Sequence, residues 1–272
     1  MSLNHILQAN PKPTTLELGW VNLAKLHSRV ARIERSRQPL SDEQVLTYLC
    51  AYGYAIQPEG PRELARVLLG DNDLDYQGRL WFEFLPASPR VGEGETHLDL
   101  ALGHVGKRGT TISGLEFVPP PAGPSWVAVV EAKLCRDISY EVDYDPFRNQ
   151  LLRVIENAAV LSNGTRQYPD TTHVILLTPQ VFNDRPGTRL YGYKFKEYCP
   201  NGRPNGDAIE ADLGRLQLQQ TTYRERIAER LRGLRLRWVT FEAVIRRMPP
   251  GPFRTDLLSL LSRERSLVAS PS

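Results

Sequence analysis

Several things are scarce in this 272-residue chain, and each scarcity excludes something. Cysteine occurs three times, at 50, 135 and 199, never as C-x-x-C. Neither a disulfide framework nor a cysteine-built zinc site is supported, so a reducing cytoplasm is the expected setting. No apolar run is long enough to cross a bilayer, so no membrane partner is expected. The opening MSLNHILQANPKP lacks a basic start followed by an apolar stretch, which argues against a signal peptide. The patterns H-E-x-x-H, G-x-S-x-G and G-x-G-x-x-G are all absent. The GHVGK of residues 103–107 falls short of a phosphate-binding P-loop, which needs more residues between its glycines and Ser or Thr after the lysine. Five scattered histidines show no ligand spacing. Metalloprotease, hydrolase-triad, kinase and dehydrogenase chemistries therefore recede.

What is present describes an ordinary globular protein: 41% apolar and 24% charged residues, enough for one large domain or two small ones. The net charge of +3 permits a nucleic-acid partner without requiring one. Only six of the 34 basic residues are lysines. Arginine forks suit phosphates and base edges, although codon bias produces the same imbalance.

Residues 14–36 place Leu16, Trp20, Leu23, Leu26, Val30 and Ile33 at helical spacing, which predicts one amphipathic helix ended by Pro39. A second helix opens at Ser41, where the S-x-x-Q spacing to Gln44 resembles a capping box, and a third spans 61–70. The period then changes. Runs 79–87, 96–105 and 125–134 read as strands, with a Gly/Pro-rich loop and a short LEFV strand before the last. A helix over 146–162 follows, capped by Asp145 with Pro146 in its first turn. The apolar run 172–180 suits a strand covered on both faces. Residues 185–206 read as loop, 207–232 as helix, LRLRWVTF as strand, and 241–247 and 253–267 as helices. The order argues an α/β domain.

Two charged places interrupt apolar strands: Asp99 in THLDLAL, and Glu131 and Lys133 at the end of WVAVVEAK. Residues two apart on a strand share a face, so Glu131 and Lys133 present their heads together. Two carboxylates brought close repel unless a cation lies between them, and all-oxygen ligation suits Mg2+. A lysine beside that cation could orient a water and offset charge on a phosphorane.

This pattern resembles the PD-(D/E)XK nuclease superfamily, the restriction-endonuclease-like fold, over roughly residues 41–180. The resemblance implies an αβββαβ core with a mixed central sheet flanked by helices over 41–184. A helical extension (1–40) and a C-terminal loop and helical region (185–272) would surround it. It maps the metal-binding aspartate onto Asp99, the strand glutamate onto Glu131, the variable position (a carbonyl ligand) onto Ala132 and the lysine onto Lys133. The first core helix would add Glu63, with Glu43 as second choice, and the later helix Gln150 or Arg153. No proline precedes Asp99, and the long stretch between Asp99 and Glu131 implies an insertion.

The resemblance implies a Mg2+-dependent nuclease, with Mn2+ as a substitute, acting on DNA before RNA. Restriction or anti-phage defence is the favoured role and a homodimer a further expectation. A non-catalytic nucleic-acid-binding or scaffold protein, an exonuclease and an RNA-directed nuclease are the rival readings. For grip on the nucleic acid, Tyr193, Lys194 and Lys196 interleave aromatic and basic character. Arg226 and Arg230 belong to a basic cluster over 224–237 usable as a phosphate track.

Overall fold

The computed structural model describes residues 3–36, 40–88, 95–138, 148–214 and 227–268. Its centre is a mixed sheet of six strands, β1 (Leu16–Leu18), β2 (Leu80–Phe84), β3 (Leu98–Gly103), β6 (Trp126–Ala132), β7 (Thr171–Thr178) and β8 (Leu234–Thr240), side by side in that order. β2 and β6 each run antiparallel to β3, which lies between them. β7 and β8 then continue parallel to β6, and β1 lies parallel to β2 at the far edge. A separate hairpin, β4 (Val105–Lys107) with β5 (Leu115–Phe117), occupies the stretch between Asp99 and Glu131.

Helices cover both faces. On one lie α1 (Leu3–Ala9), α2 (Leu23–Arg35), α3 (Glu43–Ala55), α4 (Gly60–Leu69) and the terminal helices Phe241–Arg247 and Pro252–Val268. On the other lie α5 (Gln150–Ala159), α7 (Leu190–Tyr198) and α8 (Gly206–Gly214), with the short α6 (Gln180–Asp184) beside them. Alternation explains the two layers. In β6, Ala128, Val130 and Ala132 enter the first core while Val127 and Val129 enter the second. β7 divides likewise, Ile175 and Leu177 against Val174 and Leu176, which is why both strands read as unbroken apolar runs. The sheet draws its edge strands from both ends of the chain, so segments 1–40 and 185–272 share it with the central segment. Among the described residues no helix is long and apolar enough to cross a membrane.

Several local expectations need correction. The helix expected over 14–36 is a strand followed by a helix. Leu16–Leu18 pairs with β2, Asn22 caps α2 through a bond from Lys25 N, and Trp20 is exposed rather than core. α3 is capped by Asp42, whose carboxylate accepts from Val45 N at 3.2 Å, not by Ser41. α5 starts at Gln150 under an Asn149 cap, while Pro39, Asp145 and Pro146 lie outside the described residues. The stretch 185–206 is largely helical. The N-terminal amides of α7 are satisfied by the Asp137 carboxylate, which accepts from Leu190 N at 2.6 Å and Tyr191 N at 3.2 Å. That cap comes from a residue far away in sequence, so no local capping signal marks the helix.

A half-buried histidine sits on β7. Burial, reinforced by Arg235 and Arg237, lowers the His173 imidazole from 6.5 to about 4. Unfolding restores the higher value, so between those values the unfolded chain binds the extra proton and stability falls as pH drops. The loss amounts to at most about 3 kcal/mol. In urea titrations at pH 7 and pH 4, His173→Gln should lose less stability than wild type over that interval. Parallel losses would show that His173 does not titrate on unfolding.

Candidate active site

The end of β6 gathers the charges that interrupt the apolar strands. Continuing the pairing of Leu100 with Val130 by one step sets Asp99 across from Glu131. Between the pairs Phe82–Leu100 and Phe84–Leu98, Glu83 stands across from Asp99. Three carboxylate-bearing residues thus lie in one row over β2, β3 and β6. Like charges placed opposite each other on a sheet are destabilising, so the row needs compensation.

Lys133 supplies part of it. Its ammonium lies 2.8 Å from Glu131 Oε1 and 3.1 Å from Glu43 Oε1, with its side chain only 7% exposed. Glu43 is the first residue of α3, where the helix dipole favours an anion, and its second oxygen accepts from Leu134 N at 2.8 Å. From the opposite helical layer, the Gln150 amide donates to Glu131 Oε1 at 2.6 Å. The Ala132 amide donates to Asp99 Oδ2 at 2.7 Å. α3 and α5 therefore reach the same strand end from opposite faces of the sheet.

The electrostatics show a surplus of negative charge. Burial, then Glu131, holds the Asp99 carboxyl well above its usual range, against the opposing pull of Lys133 and the Ala132 amide. Burial likewise raises Glu131; Lys133 opposes this, and Glu43 and Glu83 add to it. Burial works against the Lys133 charge, yet Glu131, Glu43 and Asp99 together hold its pKa above the ordinary value. One ammonium answers Glu131, Glu43 and Asp99, while Glu83 presses on Glu131 from the next strand but one.

Glu83 is the residue that sequence reasoning missed. It is buried and has φ 57, a left-handed conformation uncommon for a residue with a side chain. Its carbonyl accepts from Trp20 N at 2.9 Å, and Gly19 packs so closely that a Cβ there would fall 2.0 Å from that oxygen. Its carboxylate receives Gln44 Nε2 at 2.7 Å and lies 3.5 Å from His97 Nδ1. Strained backbone held by its surroundings is a mark of functional sites. The signal was available: Glu83 interrupts the apolar LWFEF as Asp99 interrupts LDLAL.

Of the remaining expected site residues, Glu63 lies elsewhere. It is paired with Arg66 at 2.8 Å on α4 with half its side chain exposed. Glu43, the second choice, is the one against Lys133, because α3 and not α4 abuts the end of β6. Arg153 is on α5 and donates to Glu95 O at 2.9 Å. Tyr193 and Lys196 are exposed on α7. Lys194, however, is engaged by Glu197 at 2.9 Å and Asp212 at 2.8 Å. Arg230 donates to Pro169 O and stacks over Tyr168, which makes it a clamp at the start of β7. Arg226 lies outside the described residues. Arg235 and Arg237 of the basic cluster stand on β8, the strand expected at LRLRWVTF.

The residues fit a divalent cation. Glu131 Oε2 and Asp99 Oδ1 have no hydrogen-bond partner among the described residues, and they belong to residues facing each other across two strands. No three His, Cys, Asp or Glu side chains among the described residues form a ready cage. A site of two carboxylates, completed by water and substrate oxygens, is the pattern Mg2+ accepts. The chain matches no protein-family profile, no curated protein and no solved structure.

Proposed function

We propose that this protein is a Mg2+-dependent nuclease of the PD-(D/E)XK type. It would hydrolyse phosphodiester bonds of nucleic acid, DNA before RNA, as an endonuclease in restriction or anti-phage defence in the cytoplasm. The observation that carries the reading is the Lys133 ammonium, buried between Glu131 and Glu43 and two residues from the carboxylate that faces Asp99. The sequence of elements supports it: helix, three antiparallel strands, helix, parallel strand is the order that the resemblance implies.

Asp99 and Glu131 would hold the cation, with the Ala132 carbonyl as a further ligand implied by the resemblance. When bound, Mg2+ supplies a Lewis acid and lowers the pKa of a coordinated water. The chain does the rest. Gln150 and Lys133 both bond Glu131 Oε1, which fixes the carboxylate and leaves Oε2 free. Glu43 holds the ammonium in place, where it can orient the attacking water and offset negative charge building on the phosphorus oxygens. Glu83, Gln44 and His97 close the far side of the row.

The test is incubation of the purified protein with supercoiled plasmid, linear duplex, single-stranded DNA and RNA, each with Mg2+, Mn2+ or EDTA. Cleavage of a DNA substrate with either metal and not with EDTA is expected, and Glu131→Gln should remove it. Binding without cleavage under every condition would replace the enzyme by a nucleic-acid-binding protein.

A further inference from the structure

A cavity of about 560 Å3 opens between α4 and the Phe241–Arg247 helix, against β8. Four arginines line it, Arg66, Arg237, Arg246 and Arg247, with Glu63 and Gly70 beside them. Arg66 is already occupied: it pairs with Glu63 at 2.8 Å and donates to Leu74 O at 3.0 Å. That pairing also spends the one carboxylate named. The guanidinium groups of Arg237, Arg246 and Arg247 make no hydrogen bond or ion pair among the described residues, although three cations sharing one cavity repel.

Arg246 and Arg247 alone have a simple explanation, since cations in the last turn of a helix complement its dipole. Arg237 does not. It projects from the middle of β8, half-buried, and burial lowers its pKa. Its guanidinium lies against the left-handed C-cap of α4: at Gly70, φ 69, a Cβ would fall 1.7 Å from Arg237 Nη1. The positive φ calls for glycine there, and a Cβ would push the guanidinium aside. Half-burial leaves this guanidinium only partly hydrated, and forks of this kind match phosphate oxygens two at a time.

We propose that this cavity binds a phosphate-bearing ligand through Arg237, Arg246 and Arg247. Its volume falls within the range of small-molecule sites, so a nucleotide fits as well as adjacent phosphates of a strand. The cavity stands apart from the carboxylate row. Arg237 shares its register with Val130 and Ile175, whose side chains face the α3–α4 layer, one residue out of step with Glu131. The inference does not rest on nuclease activity.

Calorimetric titration of the whole protein in EDTA, where no metal-dependent cleavage intervenes, tests it with two probes, ATP and a short duplex DNA. At least one should bind, and Arg237→Gln combined with Arg246→Gln should weaken that binding about tenfold or more. Loss of ATP affinity with DNA affinity unchanged identifies a free nucleotide as the ligand. Loss of DNA affinity with a shallower salt dependence, by about one unit of slope per contact removed, identifies the strand backbone. If the double variant unfolds, Arg246→Gln with Arg247→Gln, both exposed, replaces it. Failure of both probes to bind, or binding unmoved by these substitutions, would show the arginines to be solvated only.

Discussion

Lys133→Met will unfold at markedly lower urea than wild type and, on the proposed nuclease reading, will cleave a DNA substrate about 10²–10³-fold more slowly while still binding it. The stability effect follows from burial. The ammonium is 7% exposed and sits within 3.1 Å of two carboxylates, and Asp99 adds a third negative charge nearby. Removing the cation leaves Glu131, whose side chain is 3% exposed, without its charge partner, at about 3–5 kcal/mol for the loss of one partner of a buried pair, while the more exposed Glu43 can be hydrated. Methionine replaces the stem without the charge, so packing is largely kept. Mg2+ should return part of the lost stability, because a ligand that binds only the folded state stabilises it by mass action. Denaturation in EDTA and in Mg2+ checks both halves. A variant as stable as wild type in EDTA would mean that the carboxylates had been neutral all along.

The second large effect lies behind the site. Arg148 and Glu156 form an ion pair whose side chains are 1% and 0% exposed, at the start and middle of the segment that carries α5. Glu156→Leu takes the buried carboxylate away from the guanidinium, and a loss of about 3–5 kcal/mol is expected. Glu156→Gln, which keeps an acceptor of the same shape, should fall between. The consequence reaches the chemistry through Gln150, which α5 holds 2.6 Å from Glu131 Oε1. Urea unfolding of the three proteins provides the measure. A loss below about 1 kcal/mol in Glu156→Leu would show that the Arg148 charge is held by its other interactions and not by Glu156.

How much of this was legible beforehand depended on how local each determinant is. The apolar runs of β2, β3, β6 and β7 announced the sheet, and Asp99, Glu131 and Lys133 were visible as charges that apolar strands do not otherwise tolerate. Choosing between Glu43 and Glu63 was beyond local pattern. Both open helices, and only packing decides which helix meets the end of β6. β1 escaped because three residues paired to a strand more than sixty positions later carry no period of their own. α7 escaped because its cap is Asp137, and its tyrosines read as a binding loop although Tyr191 and Tyr198 are core. LRLRWVTF was legible as a strand, and β8 carries Arg235 and Arg237 as that reading has it.

That β1 and β8 form the two rims of the sheet has a kinetic side. A chain emerging from its N-terminus completes β7 long before it can offer Leu234, so β7 waits with one row of amides and carbonyls unanswered. Most of its residues are buried in the finished protein, which makes that waiting strand adhesive as well as unpaired. Closing such a gap is slow, since distant pairings give no return until the intervening chain has been ordered. Interrupted synthesis, or a proteolytic nick ahead of Leu234, would therefore release a product with much of its core assembled and a strand at its rim ready to recruit another copy.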